Sequence, residues 1–68
     1  MKISAFTVTE LQKIRFVCNF TPDELTLFNL RAKDITLEEC SDRMSVSMST
    51  ITRLSRRIHA KIERVFAK

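Results

Sequence analysis

The chain contains no glycine in 68 residues and a single proline, Pro22. An average chain of this length would hold about five glycines, and glycine readily supplies the left-handed backbone of tight turns. Glycine-rich phosphate loops and primed β-hairpin turns are therefore excluded. The many leucine, isoleucine, arginine, lysine and glutamate residues favour helices. With 44% apolar and 29% charged residues, the composition is that of a globular chain, and we predict an all-α fold.

Capping patterns predict where the first two helices begin and end. After a leader, residues 1–6, that we expect to be extended or frayed, an N-terminal helix begins near Val8–Glu10. It ends at Asn19, because asparagine tolerates the left-handed conformation that usually terminates helices. A central helix begins at Thr21-Pro22-Asp23-Glu24 and ends near Asp34. The expected caps are Thr7 or Thr9 for the first helix and Thr21 for the second.

The next two helices are separated by a short serine-rich joint. Thr36-Leu37-Glu38-Glu39 repeats the capping-box pattern and starts a short helix that ends near Met44. Residues 45–47, Ser-Val-Ser, form the joint. We interpret Val46 as an apolar plug between the two helices, and Ser41 and Ser45 as small residues where the helices come close. The resulting bundle of four helices contains a helix-turn-helix.

The long fourth helix, from Ser47 onward, has two chemically different faces. It has no breaker before Lys68 and would be about 30 Å long. At 100° per residue, an apolar stripe and a basic face lie about 130° apart. Such a helix can dock on a core and turn its basic side outward, as a major-groove helix must. The apolar stripe is Ile51, Leu54, Ile58, Ile62 and Val65, and the cations are Arg53, Arg56, Arg57, Lys61 and Arg64.

The positive charge is concentrated at this end of the chain. Residues 47–68 hold six Lys or Arg against Glu63, or +5, whereas residues 1–46 hold six against seven acids, or −1. The formal net charge is +4. This asymmetry indicates a polyanionic partner for the last helix.

A series of capping, apolar and polar motifs runs without gaps from Phe20 to Ile62. One set is Phe20-Thr21-Pro22 with Glu24, Ile35-Thr36, and Ser47 with Thr50-Ile51; a second set is Thr36-Leu37-Glu38-Glu39 and Leu54-Ser55-Arg56-Arg57. In this stretch the chain resembles the DNA-binding module shared by LuxR-type regulators, which the first set matches, and the fourth region of bacterial sigma factors, which the second set matches. Three differences bear on that resemblance: Asp34 where glycine is usual, Ser41 where alanine is usual, and Leu54 where LuxR-type proteins commonly have histidine. The last difference favours the sigma-type resemblance.

The resemblance implies that the long helix enters the major groove of double-stranded DNA. Carried over by position, Thr52, Arg53 and Arg56 fall where LuxR-type proteins contact base edges. Ser47, Ser49, Thr50 and Arg57 fall at or near phosphate contacts, and Lys61 on the same basic face is expected to contact phosphate as well. We therefore expect one domain, residues 1–68, with its helix-turn-helix core at 20–62, that acts as a small bacterial transcriptional regulator.

Other functions stay open. Fourth regions of sigma factors also contact RNA polymerase, so the module could bind polymerase or a partner regulator and never touch DNA. It could also be a DNA-packaging or replication accessory of a mobile element. We expect a stand-alone module, because no receiver, ligand or second sigma-type domain accompanies it.

The apolar end of the last helix either packs on the N-terminal helix or forms a homodimer seam; the residues concerned are Ile62, Val65 and Phe66 against Leu11, Ile14 and Val17.

Nothing in the sequence indicates an enzyme, a cofactor or a metal. Cys18 and Cys40 lack a CxxC pattern or a histidine pair, so we expect buried reduced thiols rather than zinc ligands. His59 is expected at the surface, with no nucleophile or orienting partner. The N-terminus lacks a signal-peptide core, and no segment is long enough to span a membrane. We expect a cytoplasmic protein.

Overall fold

The structure, a computed structural model, describes residues 3–66, and these form four α-helices preceded by a short 3-10 turn at Ile3–Ala5. No strand occurs in the described part of the chain. The predicted all-α bundle of four helices is confirmed, with its N-terminal, central, short and long helices in that order. The helices are α1 (Val8–Cys18), α2 (Pro22–Ala32), α3 (Leu37–Met44) and α4 (Met48–Phe66).

Reciprocal side-chain caps start the first two helices. The Thr7 hydroxyl accepts a hydrogen bond from the backbone N–H of Glu10 at 3.2 Å, and the Glu10 carboxylate accepts one from the Thr7 N–H at 2.9 Å. Thr21 and Glu24 form the same pair of bonds at the start of α2, at 3.3 and 3.1 Å. Both predicted capping boxes are thus present.

The caps of α3 and α4 are simpler. The Thr36 hydroxyl accepts from the Glu39 N–H at 3.2 Å, but the Glu39 carboxylate lies 3.8 Å from the Arg43 guanidinium instead of closing the box. At the start of α4, the Ser47 hydroxyl accepts from the Thr50 N–H at 3.3 Å. The start predicted for each helix is therefore correct, although α3 has only half of its capping box.

Three non-glycine residues adopt left-handed backbone where helices end. Asn19 has φ 52°, Asp34 has φ 63° and Ser45 has φ 56°. Asn19 was predicted to do so. Ser45 is exposed, so its role is not to let two helices come close, and the prediction of smallness there is wrong. Ser45 takes the conformation that glycine would otherwise supply.

The joint between α3 and α4 is held by a hydrogen bond that the sequence did not indicate. The Ser41 hydroxyl donates to the Val46 carbonyl, and the Val46 N–H donates to the Ser41 carbonyl at 3.1 Å. Val46 itself is half-buried against the core, as the predicted plug should be. Ser41 therefore fixes the turn through its hydroxyl and its carbonyl group.

All four helices contribute to one hydrophobic core. The predicted apolar stripe of α4 faces inward, with Val65 half-buried and the other four residues buried. Burial of this kind is the main stabilising contribution in a small domain. The buried apolar residues are Ile3, Ile14, Cys18, Leu27, Phe28, Cys40, Ile51, Leu54, Ile58 and Ile62.

Residues 3–6 are neither extended nor frayed, in contrast to the expectation for this leader. Ile3 is only 4% exposed and joins the core in a 3-10 turn packed on α2. The Phe6 ring stacks on the Phe66 ring with centroids 5.8 Å apart. The apolar side chains at positions 3 and 6 thus draw the leader onto the bundle. Met1 and Lys2, like Lys68 at the other end, lie outside the described residues.

The apolar end of α4 packs within the chain. α1 contacts α4, and Ile14 and Ile62 are fully buried in the same core. Leu11 and Val65 are half-buried against that core, whereas Val17 is 45% exposed. Of the two alternatives for this end of α4, the structure has the intramolecular one, with Val17 at its margin.

Candidate nucleic-acid interface

Four side chains predicted to contact DNA lie on the outward face of α4. Thr52, Arg53, Arg56 and Arg57 are all exposed. They form two pairs with four-residue spacing, 52 with 56 and 53 with 57, which places the pairs on neighbouring strips of one helix surface. Within residues 3–66, none of the three guanidinium groups makes an ion pair or a hydrogen bond. This surface therefore presents three arginines with their full hydrogen-bonding capacity.

The predicted phosphate contacts at the start of α4 differ in how free their hydroxyls are. Ser47 accepts from the Thr50 N–H, and its hydroxyl lies 3.1 Å from that of Thr50, which is half-buried. These two hydroxyls are engaged with each other in capping the helix. Ser49 is exposed, and its hydroxyl has no hydrogen-bond partner among the described residues.

Lys61, the eighth predicted DNA contact, is directed toward α2. Its ammonium group makes an ion pair with the Glu24 carboxylate, and it lies 5.8 Å from the centroid of the Phe20 ring. The Lys61 side chain is 30% exposed, compared with 2% for that of Glu24. The structure therefore does not place Lys61 with the outward-facing arginines, although it belongs to the same helix.

Glu24 is the buried anion of this pair. Its Oε1 atom also accepts from the Thr21 N–H at 3.1 Å as part of the helix cap. Burial by itself raises the pKa of the carboxyl group, but the hydrogen bonds from Lys61 and Thr21 and the positive charges of Lys61 and Arg57 together outweigh it. The net effect is a pKa below the ordinary value of 4.5. Glu24 is thus a stable carboxylate that joins α2 to α4.

A groove of about 280 Å³ lies between the C-terminal ends of α1 and α4. Valine side chains and two cations line it, and its position is at the opposite end of α4 from Ser47. Phe16, next in sequence to the lining residues, is 88% exposed. Neither the groove nor the exposure of this ring was predicted from the sequence. The lining residues are Val17, Cys18, Asn19, Lys61, Arg64 and Val65.

The remaining candidate groups are isolated. Cys18 and Cys40 are buried and not disulfide-bonded, and burial raises the pKa of both thiols. His59 is half-buried rather than at the surface, and this burial lowers its pKa. Among residues 3–66, no group of three or more potential ligands is arranged to hold a metal ion. Of the helices described, none is both long and apolar enough to cross a bilayer.

The outward arginines of α4 are accordingly the feature of this chain with the clearest binding chemistry. Comparison with protein-family models, curated proteins and solved structures found no match, so the resemblance to LuxR-type and sigma-factor modules stays a prediction.

Proposed function

We propose that the chain binds double-stranded DNA in a sequence-specific manner, as a small transcriptional regulator whose helix α4 enters the major groove. The observation that carries this proposal is the set of three exposed arginines, without partners among residues 3–66, on a helix whose opposite face is buried. The major groove is about 12 Å wide and admits one α-helix. The rest of the bundle lies behind α4 and leaves this face open.

Different side chains of this face have different roles. Arg53 and Arg56 are suited to bidentate hydrogen bonds with the O6 and N7 atoms of guanine, and Thr52 can contact a neighbouring base edge. Arg57 contacts phosphate. Ser49, with its hydroxyl unengaged, is a better phosphate donor than Ser47 and Thr50, which bind each other.

The backbone at the start of α4 also favours phosphate contacts. The first backbone N–H groups of a helix carry partial positive charge and favour an anion. α3 and its joint, fixed by the hydrogen bond between Ser41 and Val46, set the angle at which α4 projects. The proposed contacts thus lie on a rigid element rather than on a loop.

The proposal is tested by fluorescence anisotropy on a mixed-sequence duplex. Binding is measured from about 50 to about 200 mM salt, because each phosphate contact contributes about −0.9 to the slope of log affinity against log salt. The variant Arg53/Arg56/Arg57→Ala, with its fold checked by circular dichroism, should lose affinity and most of the slope. No binding by the parent at about 50 mM salt, or equal binding by the variant, would refute the proposal.

A matched control separates the location of the charges from their number. The variant Lys13/Lys33/Arg43→Ala removes the same three positive charges from exposed positions on or next to the other three helices. It should bind more weakly than the parent but keep a steeper salt dependence than the variant of α4. On a duplex selected from a random library, Arg53→Ala or Arg56→Ala should cost about 1–3 kcal/mol and relax base preference, whereas Arg57→Ala should weaken all duplexes alike.

A second candidate function is protein binding, to RNA polymerase or a partner regulator. The 88% exposure of Phe16 favours it, since aromatic side chains are enriched at protein contacts. The result expected for this function is a complex with purified polymerase that persists at high salt and is lost in the variant Phe16→Ser. A packaging or replication accessory would share the DNA contacts and differ in its partners.

A further inference from the structure

Lys61 belongs by sequence to a row of cations along one side of α4. Arg53, Arg57 and Lys61 follow one another at intervals of four residues, so they lie one above the other on the helix. The first two are exposed and make no ion pair or hydrogen bond among the described residues, although the charge of Arg57 also acts on Glu24; the third makes an ion pair with Glu24. Only two of the three cations in this row are therefore available to contact DNA.

Glu24 has strong physical reasons to retain Lys61. The Glu24 side chain is only 2% exposed, and a buried charge without a counter-ion is strongly disfavoured. A DNA phosphate would compete for Lys61 at the protein surface, where water and salt weaken the attraction between the phosphate and the ammonium group. The Phe20 ring lies beside the ammonium group and adds to its attachment at α2.

We propose that Glu24 withholds Lys61 from DNA and thereby limits the affinity of α4 for any duplex. Glu24 is a positioning residue in this scheme: it does not touch DNA, and it removes one phosphate contact that α4 would otherwise make. Phosphate contacts form with a duplex of any base sequence. Losing one therefore lowers the affinity for all duplexes more than it lowers the discrimination between base sequences. The inference rests on the proposed function.

The variant Glu24→Gln tests this directly. Glutamine has nearly the same shape and can still accept from the Thr21 N–H, but it holds an ammonium group less tightly because it has no charge. Released Lys61 should steepen the salt dependence by about 0.9 and raise affinity for a mixed-sequence duplex about fivefold to tenfold near 0.1 M salt. Partial unfolding cannot produce such a gain.

The exposed neighbour Asp23 supplies a matched control. Asp23→Asn changes the net charge by the same amount on the same turn of α2, and Asp23 has no ion pair in the described residues. It should leave the salt slope unchanged. If Glu24→Gln gains no more affinity or slope than Asp23→Asn, the effect is one of net charge and the inference is wrong.

A charge-balanced double variant decides the question even if Glu24→Gln alone does not fold. Glu24→Gln with Lys61→Met keeps the net charge of the parent and leaves no buried charge unpaired, a replacement that proteins often tolerate. Its salt slope should equal that of the parent, since Lys61 makes no phosphate contact there. A slope shallower by about 0.9 would mean that Lys61 contacts phosphate in the parent, and would overturn the inference.

Absence of binding by the parent would overturn the proposed function and this inference together, whereas binding by the parent with either contrary variant result would overturn the inference alone.

Discussion

Replacing Ile62 with alanine should be among the most damaging single changes to this fold. Ile62 lies on α4 where α1 packs against it, and its side chain is 0% exposed. The change removes three carbon groups, or about 2.4 kcal/mol of transfer free energy at about 0.8 kcal/mol each. The cavity that remains adds to this cost, and we expect a total loss of about 3–4 kcal/mol.

This loss is large for a domain of this size. A chain of 68 residues is expected to have a free energy of unfolding of roughly 3–10 kcal/mol. Urea denaturation followed by circular dichroism measures the change, at two widely separated protein concentrations. Because Ile62 packs within the chain, the loss should be the same at both concentrations. The control is Phe16→Ala on α1, whose ring is 88% exposed and whose removal should change stability by no more than about 0.5 kcal/mol.

Two results would refute this reasoning. If the loss at Ile62 depended on protein concentration, the apolar end of α4 would be packing between two chains in solution. If Phe16→Ala cost as much as Ile62→Ala, a second copy or another partner would be covering the ring of Phe16.

Two further predictions concern the joint and the buried carboxylate. Ser45→Gly should stabilise the protein by about 0.5–1 kcal/mol, because relief of left-handed strain, roughly 1–2 kcal/mol, exceeds the added entropy of the unfolded chain, about 0.4–1 kcal/mol. A lower melting temperature for Ser45→Gly would contradict this. The depressed pKa of Glu24 stabilises the fold above pH 4.5, and this contribution should be lost as the pH falls through the lower folded pKa. Urea titrations at several pH values across that range should show that the free energy of unfolding of Glu24→Gln falls less steeply with falling pH than that of the parent. An identical fall in the two proteins would mean that Glu24 titrates as it does in the unfolded chain.

The features that could be predicted from the sequence are those set by neighbouring residues. A cap and its partner are three residues apart, so Thr21, Thr36 and Ser47 could be assigned as helix starts without knowledge of the fold, and the first start could be narrowed to Thr7 or Thr9. The inward stripe of α4 follows from helical periodicity in the same way. For the candidate site, this periodicity was enough to predict that Arg53, Arg56 and Arg57 face away from the buried stripe of α4, but not that Lys61 turns toward α2.

The features that escaped prediction depend on contacts between distant parts of the chain. Glu24 and Lys61 are 37 residues apart, and nothing near either residue indicates the other. Glu24 reads locally as a capping residue, which it also is, so its second role has no separate signal. The burial of Ile3 depends likewise on contacts of the N-terminal turn with α2, and the groove on residues of α1 and α4 that are far apart in sequence.

The left-handed residues at the ends of α1, at the α2–α3 turn and at the end of α3 also affect the unfolded state. A chain without glycine has fewer backbone conformations to explore when unfolded, and so loses less entropy on folding. In return, Asn19, Asp34 and Ser45 hold a backbone conformation that costs each of them energy in the folded state. At these three exposed positions the strain exceeds the entropy that is saved, so the stabilising effect of having no glycine comes from the rest of the chain.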